Sequence, residues 1–377
     1  MEENPVIMKR FIVFIFPALL CLPCLSGRTF SSPGGDSISR TVLFPENPDD
    51  TSVRTACYRI PSMAVAEDGT VVVAVDQRVP SCSDLRWNRD INIVVRRSTD
   101  GGRTWTAAER IVDFPEGISA SDPSMISDAA NGTLHLFYNY MDLDRAPGVY
   151  RFHRIESRDC GNTWSAPQDI TDMVVPEEWE GDFMFITSGQ GAVSPDGTLL
   201  HTLVNIDEGM HVVRSCDSGR TWELLPVPVR PADESKIIAL SDSLWMLNCR
   251  VNGAGCRYVY YSTDRGASWT GGPDSSLSDP GCNAAVAEYA LPSGPTLLLF
   301  VNATDSTERT ALGLRRSLDG GKEWSRPFII NAGSSGYSDI AVLPSGDAVI
   351  VYERDGYSRM DATVIPCRMI LGEYFLD

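Results

Sequence analysis

Arginines, acidic residues and tyrosines stand close together in a few short segments of the sequence. The segments are Tyr58-Arg59-Ile60-Pro61, Asp76-Gln77-Arg78 with Ser83-Asp84-Leu85 after it, Asp233-Glu234-Ser235 with Arg250 after it, and Tyr337-Ser338-Asp339. Guanidinium groups hold a carboxylate through paired hydrogen bonds. A carboxylic acid can protonate a leaving group, and a tyrosine, with a usual pKa near 10, needs a base partner to act as a nucleophile near neutral pH. These residue types could together bind an anionic substrate and break a bond in it, if the fold brings them to one place.

A repeated phrase with the pattern S-x-D-x-G-x-x-W indicates how the fold is organised. Its five copies begin at Ser98, Ser157, Ser215, Ser262 and Ser317. Ser and Asp side chains close turns by bonding nearby backbone N–H groups, and Gly supplies the positive φ that such a turn needs. Since strand-like runs precede the copies, each phrase predicts a turn between two strands, and the near-regular spacing predicts an array of similar units.

Six apolar runs, each following a turn signal or a polar stretch, mark one buried strand per unit. They begin at Thr70, Leu134, Leu199, Leu244, Thr296 and Ala348. The regular order of strand, phrase and strand predicts an all-β fold, a six-bladed β-propeller of four-stranded antiparallel blades, in which one blade lacks the phrase. The last stretch, residues 337–377, is expected to close the ring with a strand near Thr41.

Composition limits the classes of partner and the compartment. The 377 residues carry a net charge of −18, which disfavours nucleic acid and anionic membrane surfaces and requires a local positive pocket for any anionic ligand. Residues 1–27 have the basic start, apolar run and small residues of a signal peptide, too short for a membrane span. Residues 28–377 then form one exported domain, located outside the cell, at its surface or in a periplasm. Lipid attachment at Cys21 or Cys24 is an alternative, although neither follows the usual small residue.

The segment Tyr58-Arg59-Ile60-Pro61 and the five repeated turns together resemble the sialidase (neuraminidase) superfamily, whose turns are called Asp boxes. The resemblance covers the chain from about Val53 to the C-terminus. It implies a six-bladed propeller with the site on the pseudo-axis, and a glycosidase that acts on a sugar carrying a carboxylate beside its anomeric carbon. It implies no metal and no cofactor.

The resemblance also implies a role for individual residues. The proposed catalytic residues are Asp84 as the acid, Tyr337 as the nucleophile and Glu234 as its base. The proposed substrate-binding residues are Arg59, Arg78, Asp122, Arg250 and Arg309, with Glu353 supporting Arg59. The three arginines of the carboxylate clamp are Arg59, Arg250 and Arg309.

Several positions leave alternatives open. Asp90 competes with Asp84 as the acid, and Arg315 and Arg316 compete with Arg309. Asp122 is equally well explained as part of a structural turn. Among the cysteines, Cys249 and Cys256 flank a turn-like segment and are the first pair to test as a disulfide.

The function predicted from the resemblance is an exo-α-sialidase that hydrolyses terminal α-linked sialic acids from glycoproteins, glycolipids and oligosaccharides. Two displacements through a tyrosine nucleophile would retain the anomeric configuration. A trans-sialidase, including an intramolecular one, would use the same residues. A non-catalytic propeller that binds sialylated glycans is the alternative of another class, and it predicts losses among Asp84, Glu234 and Tyr337 that the sequence does not show.

Overall fold

The computed structural model describes residues 37–45, 55–291 and 294–372. The predicted signal peptide and the two candidate lipid-attachment cysteines lie outside these ranges. Within them, no helix combines the length and the apolar character needed to cross a membrane.

Strands dominate the described residues, in agreement with the all-β prediction. The first nine are β1 (Ser39–Phe44), β2 (Cys57–Val65), β3 (Val71–Val79), β4 (Asp90–Ser98), β5 (Glu109–Val112), β6 (Ile118–Asp128), β7 (Thr133–Asp142), β8 (Arg151–Ser157) and β9 (Gln168–Asp169). The next ten are β10 (Met184–Ile186), β11 (Gly189–Gln190), β12 (Ala192–Val193), β13 (Leu199–Asn205), β14 (Gly209–Ser215), β15 (Glu223–Leu224), β16 (Ser235–Ala239), β17 (Trp245–Cys249), β18 (Cys256–Ser262) and β19 (Thr270–Ser278). The last six are β20 (Ala285–Ala290), β21 (Thr296–Ala303), β22 (Thr310–Ser317), β23 (Phe328–Val342), β24 (Ala348–Arg354) and β25 (Arg359–Ile365).

Helices are short and lie in connections. The α-helices are α1 (Thr171–Val174) and α2 (Cys367–Leu371), and single 3-10 turns cover Leu85–Trp87, Ala129–Asn131 and Glu177–Trp179. The first of these turns follows Asp84 directly, which places that carboxylate at the start of a tight, well-defined loop.

Hydrogen bonding groups the strands into five sheets in which neighbours are mostly consecutive in the chain. The orders are β2-β3-β4-β5, β11-β6-β7-β8-β9, β10-β13-β14-β15 with β12 also on β13, β16-β17-β18-β19, and β20-β21-β22-β23-β24-β25-β1. The long strand β23 joins two four-stranded groups in the last sheet, because its first part pairs with β22 and its second part with β24. As expected for the strand near Thr41, β1 pairs with β25.

Each repeated phrase forms a side-chain-closed turn. In the first copy the Ser98 hydroxyl accepts a 2.8 Å bond from the N–H of Gly102 and donates a 2.8 Å bond to Asp100. The Asp100 carboxylate also receives the N–H and hydroxyl of Thr104, and the Trp105 indole donates to the Gly102 carbonyl. In the third copy the same bonds, led by that from the N–H of Thr221, lower the pKa of Asp217 to about 2. The prediction that the Ser and Asp side chains of the phrase close a turn is therefore confirmed.

The apolar core lies between successive sheets. Val72 and Ile93 of the first sheet pack with Leu136 of the second, and similar clusters fill the spaces between the later sheets. A further cluster lies within the seven-stranded sheet, between its two groups of strands. Val73 on the other face of the first sheet packs with Val351 of the last sheet. Strands such as β3 are consequently buried along their whole length, which explains their nearly continuous apolar sequence.

Candidate active site

Three strands meet at the site, and each has a β-bulge at the position of its site residue. The register shifts at residues 59–62 of β2, 121–124 of β6 and 335–338 of β23. Pro61 and Pro123 stand in two of these bulges, where the missing N–H removes no ladder bond. A bulge turns a side chain away from the alternation of its strand, so Arg59, Asp122 and Tyr337 can point out of the packed faces of the sheets.

Tyr337, Glu234 and Arg250 are in direct contact. The Tyr337 hydroxyl donates a 2.8 Å hydrogen bond to Glu234 Oε2, and Arg250 Nη1 lies 3.0 Å from the same hydroxyl. Arg250 Nη1 also forms an ion pair with Glu234. Two backbone bonds between residues 233–234 and Arg250 extend the β16–β17 ladder and hold the carboxylate beside the guanidinium. A base is therefore in place beside a phenol.

The phenol of Tyr337 is held in its protonated form. Removal from water and the neighbouring Glu234 carboxylate raise the pKa of Tyr337 well above its usual value, although Arg250 and Arg309 oppose that rise. Because the phenol is not acidic by itself, it can react as an oxygen nucleophile only while its proton passes to Glu234.

Glu353 joins Arg59 to the backbone of two bulges. It is fully buried and accepts bonds of 2.7 and 3.3 Å from the Arg59 guanidinium. It also accepts the N–H of Ile60 at 2.8 Å and that of Tyr337 at 2.9 Å. One carboxylate thus orients an arginine and fixes the backbone on which Tyr337 stands.

Arg309 reaches the same point from the start of the β22 hairpin. Its guanidinium lies 5.4 Å from the Tyr337 ring centroid, and that of Arg59 lies 5.7 Å from it. Arg309 Nη1 donates to the hydroxyl of Tyr357 at 3.2 Å, and Nη2 donates to the carbonyl of Gly281 at 3.2 Å. The structure therefore brings Arg59, Arg250 and Arg309 together around Tyr337.

The competing arginines lie elsewhere. Arg315 Nη1 donates to Asn302, and its Nη2 donates to the Ser276 carbonyl. Arg316 donates to the carbonyl of Ile370. Of the three candidates, Arg309 has the position of a site residue.

Arg78 connects the loop of Asp84 to the strand below it. Arg78 is 1% exposed, whereas the side chain of Asp84 is 69% exposed. One Arg78 nitrogen donates to Asp84 at 2.6 Å and to the Cys82 carbonyl at 2.9 Å, while the others bind Asp76 at 2.9 and 3.1 Å. Asp84 is thus an open carboxylate, within electrostatic range of Arg59, tethered to a buried guanidinium.

Asp90 has different neighbours. It accepts a 2.9 Å bond from Asn92, and burial together with the acidic residues Asp113 and Glu116 raises its pKa against the pull of Arg110. None of these groups is a predicted site residue, so the geometry favours Asp84 as the exposed acid.

Asp122 stands in the bulge of β6 with a φ of 58°. Its N–H donates to Asp76 at 2.9 Å, and its own carboxylate accepts a 3.1 Å bond from Asn139. Burial, followed by the charge of Asp76, raises the pKa of Asp122 to about 7, although Arg78 opposes the shift. A partly buried carboxyl on a strained backbone, within electrostatic range of Arg78 and Glu234, fits a substrate contact as well as a turn.

The cysteines pair differently from the expectation. The disulfide joins Cys57 to Cys82, and the predicted partners Cys249 and Cys256 are both free. The predicted pairing was wrong because the β17–β18 register places Tyr258, and not Cys256, opposite Cys249. The observed bond ties β2, close to Arg59, to the loop that carries Asp84.

Two buried charged residues lie close in the chain to the predicted catalytic residues Glu234 and Tyr337. Lys236 stands two positions after Glu234 and Asp339 two positions after Tyr337, and both are buried. Burial lowers the pKa of Lys236 to about 8 and raises that of Asp339 to about 7, and each charge opposes the shift of the other. The sequence did not predict the Lys236–Asp339 pair, nor Asp76, Tyr357 or the disulfide as parts of the site. The alternation in Asp76-Gln77-Arg78 could have revealed Asp76, whereas no spacing signal marks Tyr357.

The assembled groups define the chemistry that the site can perform. Three guanidiniums, two of them paired with the carboxylates of Glu353 and Glu234, lie around Tyr337 in a protein whose net charge is −18. The phenol has its base beside it, and the exposed carboxyl of Asp84 stands within electrostatic range of Arg59. Such a set can bind a carboxylate and displace a leaving group close to it.

Comparison with known proteins places the chain in a family. Residues 87–350 match the BNR repeat-like domain. A sialidase of Micromonospora viridifaciens is 33% identical over 78% of this chain and 50% of its own length. A sialidase of Bacteroides fragilis is 29% identical over 81% of this chain and 61% of its own length. The chain therefore spans only about half to three fifths of these relatives.

Two solved structures show the same arrangement of strands. The Hadza microbial sialidase Hz136 superposes with a TM-score of 0.77 at 25% identity, covering 86% of this chain and 68% of that one. The intramolecular trans-sialidase from Ruminococcus gnavus superposes with a TM-score of 0.76 over 88% of this chain and 98% of that one. Its identity of 16% shows a shared fold.

Proposed function

Because the chain belongs to the sialidase superfamily, we propose that it is an exo-α-sialidase, which hydrolyses terminal α-linked sialic acids of glycoproteins, glycolipids and oligosaccharides. The contact that carries the proposal is the 2.8 Å hydrogen bond from Tyr337 to Glu234, formed between three converging arginines. A phenol with a carboxylate base is suited to attack beside an anionic carboxylate, because a neutral nucleophile avoids the repulsion that a charged one would meet.

The fold we propose is a six-bladed β-propeller formed by residues 28–377. Two features support it: the packing of each sheet against its neighbours in the chain, with the first against the last, and the division of the seven-stranded sheet at β23 into two groups of four strands that share β23. In such an arrangement the strands β2, β6, β16 and β23 surround one axis, and the site residues lie at one end of it.

Binding begins with the substrate carboxylate. Arg59, Arg250 and Arg309 would hold it, Asp122 would face the sugar ring, and the buried Arg78 would contribute through Asp84, to which it donates a hydrogen bond. Glu353 keeps Arg59 in a fixed orientation through its two hydrogen bonds. Guanidiniums remain charged over the whole working range of pH, so the clamp does not depend on the pH of the medium.

The first displacement forms a bond between Tyr337 and the anomeric carbon while the glycosidic bond breaks. Glu234 takes the proton of the phenol, which Tyr337 already donates to it. Asp84 gives its proton to the departing oxygen. Arg250 contacts both the Glu234 carboxylate and the Tyr337 hydroxyl, so it lies beside the proton transfer.

The second displacement reverses the proton transfers. Asp84, now ionised, takes a proton from a water molecule that attacks the anomeric carbon, and the bond to Tyr337 breaks. Glu234 returns its proton to the phenol. Two inversions give net retention of configuration, the outcome of sialidases that use a tyrosine nucleophile.

We propose that the protein works outside the cytoplasm. Residues 1–27 would be removed as a signal peptide, and sialylated glycans at cell surfaces or in secretions would be the partners. The disulfide between Cys57 and Cys82 supports this proposal, since such bonds persist in oxidising compartments.

Product analysis tests the proposal. The protein is incubated with α2,3- and α2,6-sialyllactose, with and without added isotope-labelled lactose as an acceptor, so that transfer appears as labelled sialyllactose. Hydrolysis predicts free sialic acid in both cases. Transfer to lactose, or an anhydro sugar as the first product, would replace the hydrolase by one of the two trans-sialidase activities, and intact substrate would favour a binding module.

A further inference from the structure

A tyrosine that no sequence motif marks touches two arginines of the proposed clamp. Tyr357 lies in the turn between β24 and β25, with its ring centroid 4.2 Å from the guanidinium carbon of Arg59. Its hydroxyl accepts a 3.2 Å hydrogen bond from Arg309 Nη1. One side chain therefore connects guanidiniums that belong to distant parts of the chain.

The turn holds this tyrosine in an unfavourable backbone conformation. Asp355, Gly356 and Tyr357 have φ values of 53°, 67° and 71°. Such values suit glycine, and a bulky side chain in this region is strained. The aromatic side chain therefore stands at a position where glycine would relieve the backbone.

The backbone of the nucleophile segment leaves room for the ring. Gly336 directly precedes Tyr337, and a Cβ atom built on Gly336 would lie 2.6 Å from a ring carbon of Tyr357. Any side chain at that position would displace the ring. The ring thus packs on the bulge of β23, so that Tyr357, Arg59 and Tyr337 share one support.

Arg309 depends on neutral partners. Arg59 is paired with Glu353 and Arg250 with Glu234. In the described part of the chain, the hydrogen-bond acceptors of Arg309 are the Gly281 carbonyl and the Tyr357 hydroxyl. Its charge stays available for an anion, and its orientation rests on those two bonds together with its packing over Tyr337.

We propose that Tyr357 is a positioning residue that presets Arg59 and Arg309 to bind the carboxylate of the substrate. Its ring faces one guanidinium and its hydroxyl binds the other, which keeps two like charges at a fixed separation without neutralising either. A preset pair loses less freedom when the anion binds, so the contribution appears in affinity. The inference rests on the proposed function, since it names the substrate carboxylate as the ligand.

Two substitutions separate the contributions of the ring and of the hydroxyl. Tyr357→Phe keeps the ring over Arg59 and removes the acceptor of Arg309, and we expect KM for sialyllactose to rise about threefold. Tyr357→Gly removes both contacts and relieves the backbone, and we expect KM to rise about tenfold or more while kcat stays within about twofold. The Kd of free N-acetylneuraminic acid, measured by calorimetry, should rise in parallel with KM.

Asp355→Gly is the matched control. It changes a residue of the same turn with a similar φ, whose ion pairs are with Arg354 and Arg359. We expect it to leave KM and Kd at their wild-type values. Thermal unfolding of all three variants checks that they are folded.

The outcomes test the proposed function and the positioning role of Tyr357 separately. A wild-type protein that releases no sialic acid refutes the proposed function before any variant is compared. An active wild type whose KM and Kd are unchanged in both Tyr357 variants overturns the positioning role. A similar rise of KM in the Asp355 control would also contradict it, because the effect would then belong to the turn as a whole.

Discussion

The hydroxyl of Tyr337 lies 2.8 Å from a carboxylate oxygen of Glu234, although 103 positions separate the two residues in the chain. The bulge of β23 and the ladder between β16 and β17 bring them together. Arg250 contacts both groups. This relationship defines the account of the site, since a phenol whose pKa is raised needs a base at hydrogen-bonding distance.

Replacing the proposed nucleophile should separate chemistry from binding. Tyr337→Phe removes one oxygen atom and leaves the ring beneath Arg59 and Arg309. We expect kcat with a fluorogenic sialoside to fall by roughly 10³-fold or more, while the Kd of N-acetylneuraminic acid measured by calorimetry changes by less than about fivefold. Tyr289→Phe, on β20, is the control and should keep full activity. Turnover by the Tyr337 variant close to the wild-type rate would exclude the residue as the nucleophile.

Two arginines of the clamp should differ in their kinetic effects. Arg309→Ala removes a guanidinium that does not contact Glu234 or the Tyr337 hydroxyl, and we expect mainly a higher KM, by roughly 10–100-fold. Arg250→Ala also removes a contact to both members of the nucleophile pair, so kcat should fall as well. Steady-state kinetics on both variants measure the changes in kcat and KM separately. Equal effects on kcat would mean that Arg250 has no special relation to the pair.

Cleavage of the disulfide should affect leaving-group protonation. The Cys57–Cys82 bond ties the loop of Asp84 to β2. We expect reduction, or the change Cys82→Ser, to lower kcat more for sialyllactose, whose leaving group needs a proton, than for a 4-nitrophenyl sialoside, whose leaving group does not. Cys216→Ser alters an exposed free cysteine and is the control. An equal loss on both substrates would indicate a general effect on the fold.

Asp122 should contribute a pH-dependent term to stability. Its usual pKa of 3.8 rises to about 7 on folding, through burial and the charge of Asp76. The folded protein then holds this proton more tightly than the unfolded chain, so the contribution of Asp122 to stability falls as pH rises from about 4 to about 7. Asp122→Asn removes that loss, and its Tm minus the wild-type Tm should increase across this window. A difference that stays constant from pH 4 to pH 7.5 contradicts the assignment, and Asp172→Asn at an exposed ion pair serves as the control.

The turns, the order of the strands and most of the site segments could be predicted from short local motifs. The Ser, Asp and Gly of each repeated phrase specify their own turn through bonds inside eight residues, so the sequence alone identifies them. The order of the strands follows from the same spacing. The segments around Arg59, Glu234 and Tyr337 were recognisable because their motifs are contiguous.

Contacts set by register and by packing between sheets could not be predicted. The pairing of Cys57 with Cys82 depends on where the loop after β3 returns to β2, and the expected pair failed on one hairpin register. Tyr357 reaches Arg59 and Arg309 only because three consecutive residues adopt positive φ values. Whether Arg309 or Arg315 is the third arginine of the proposed clamp likewise depends on the direction of each side chain, which the sequence does not show.

The most direct test of the account is the identity of the first product released from 3′-sialyllactose, followed by proton NMR from the first seconds of the reaction. Two displacements through Tyr337 predict that the α-anomer of sialic acid appears first and then equilibrates to the β-anomer. The β-anomer as the first species would show a single inverting displacement by water. That result would contradict a covalent role for Tyr337 and with it the central claim.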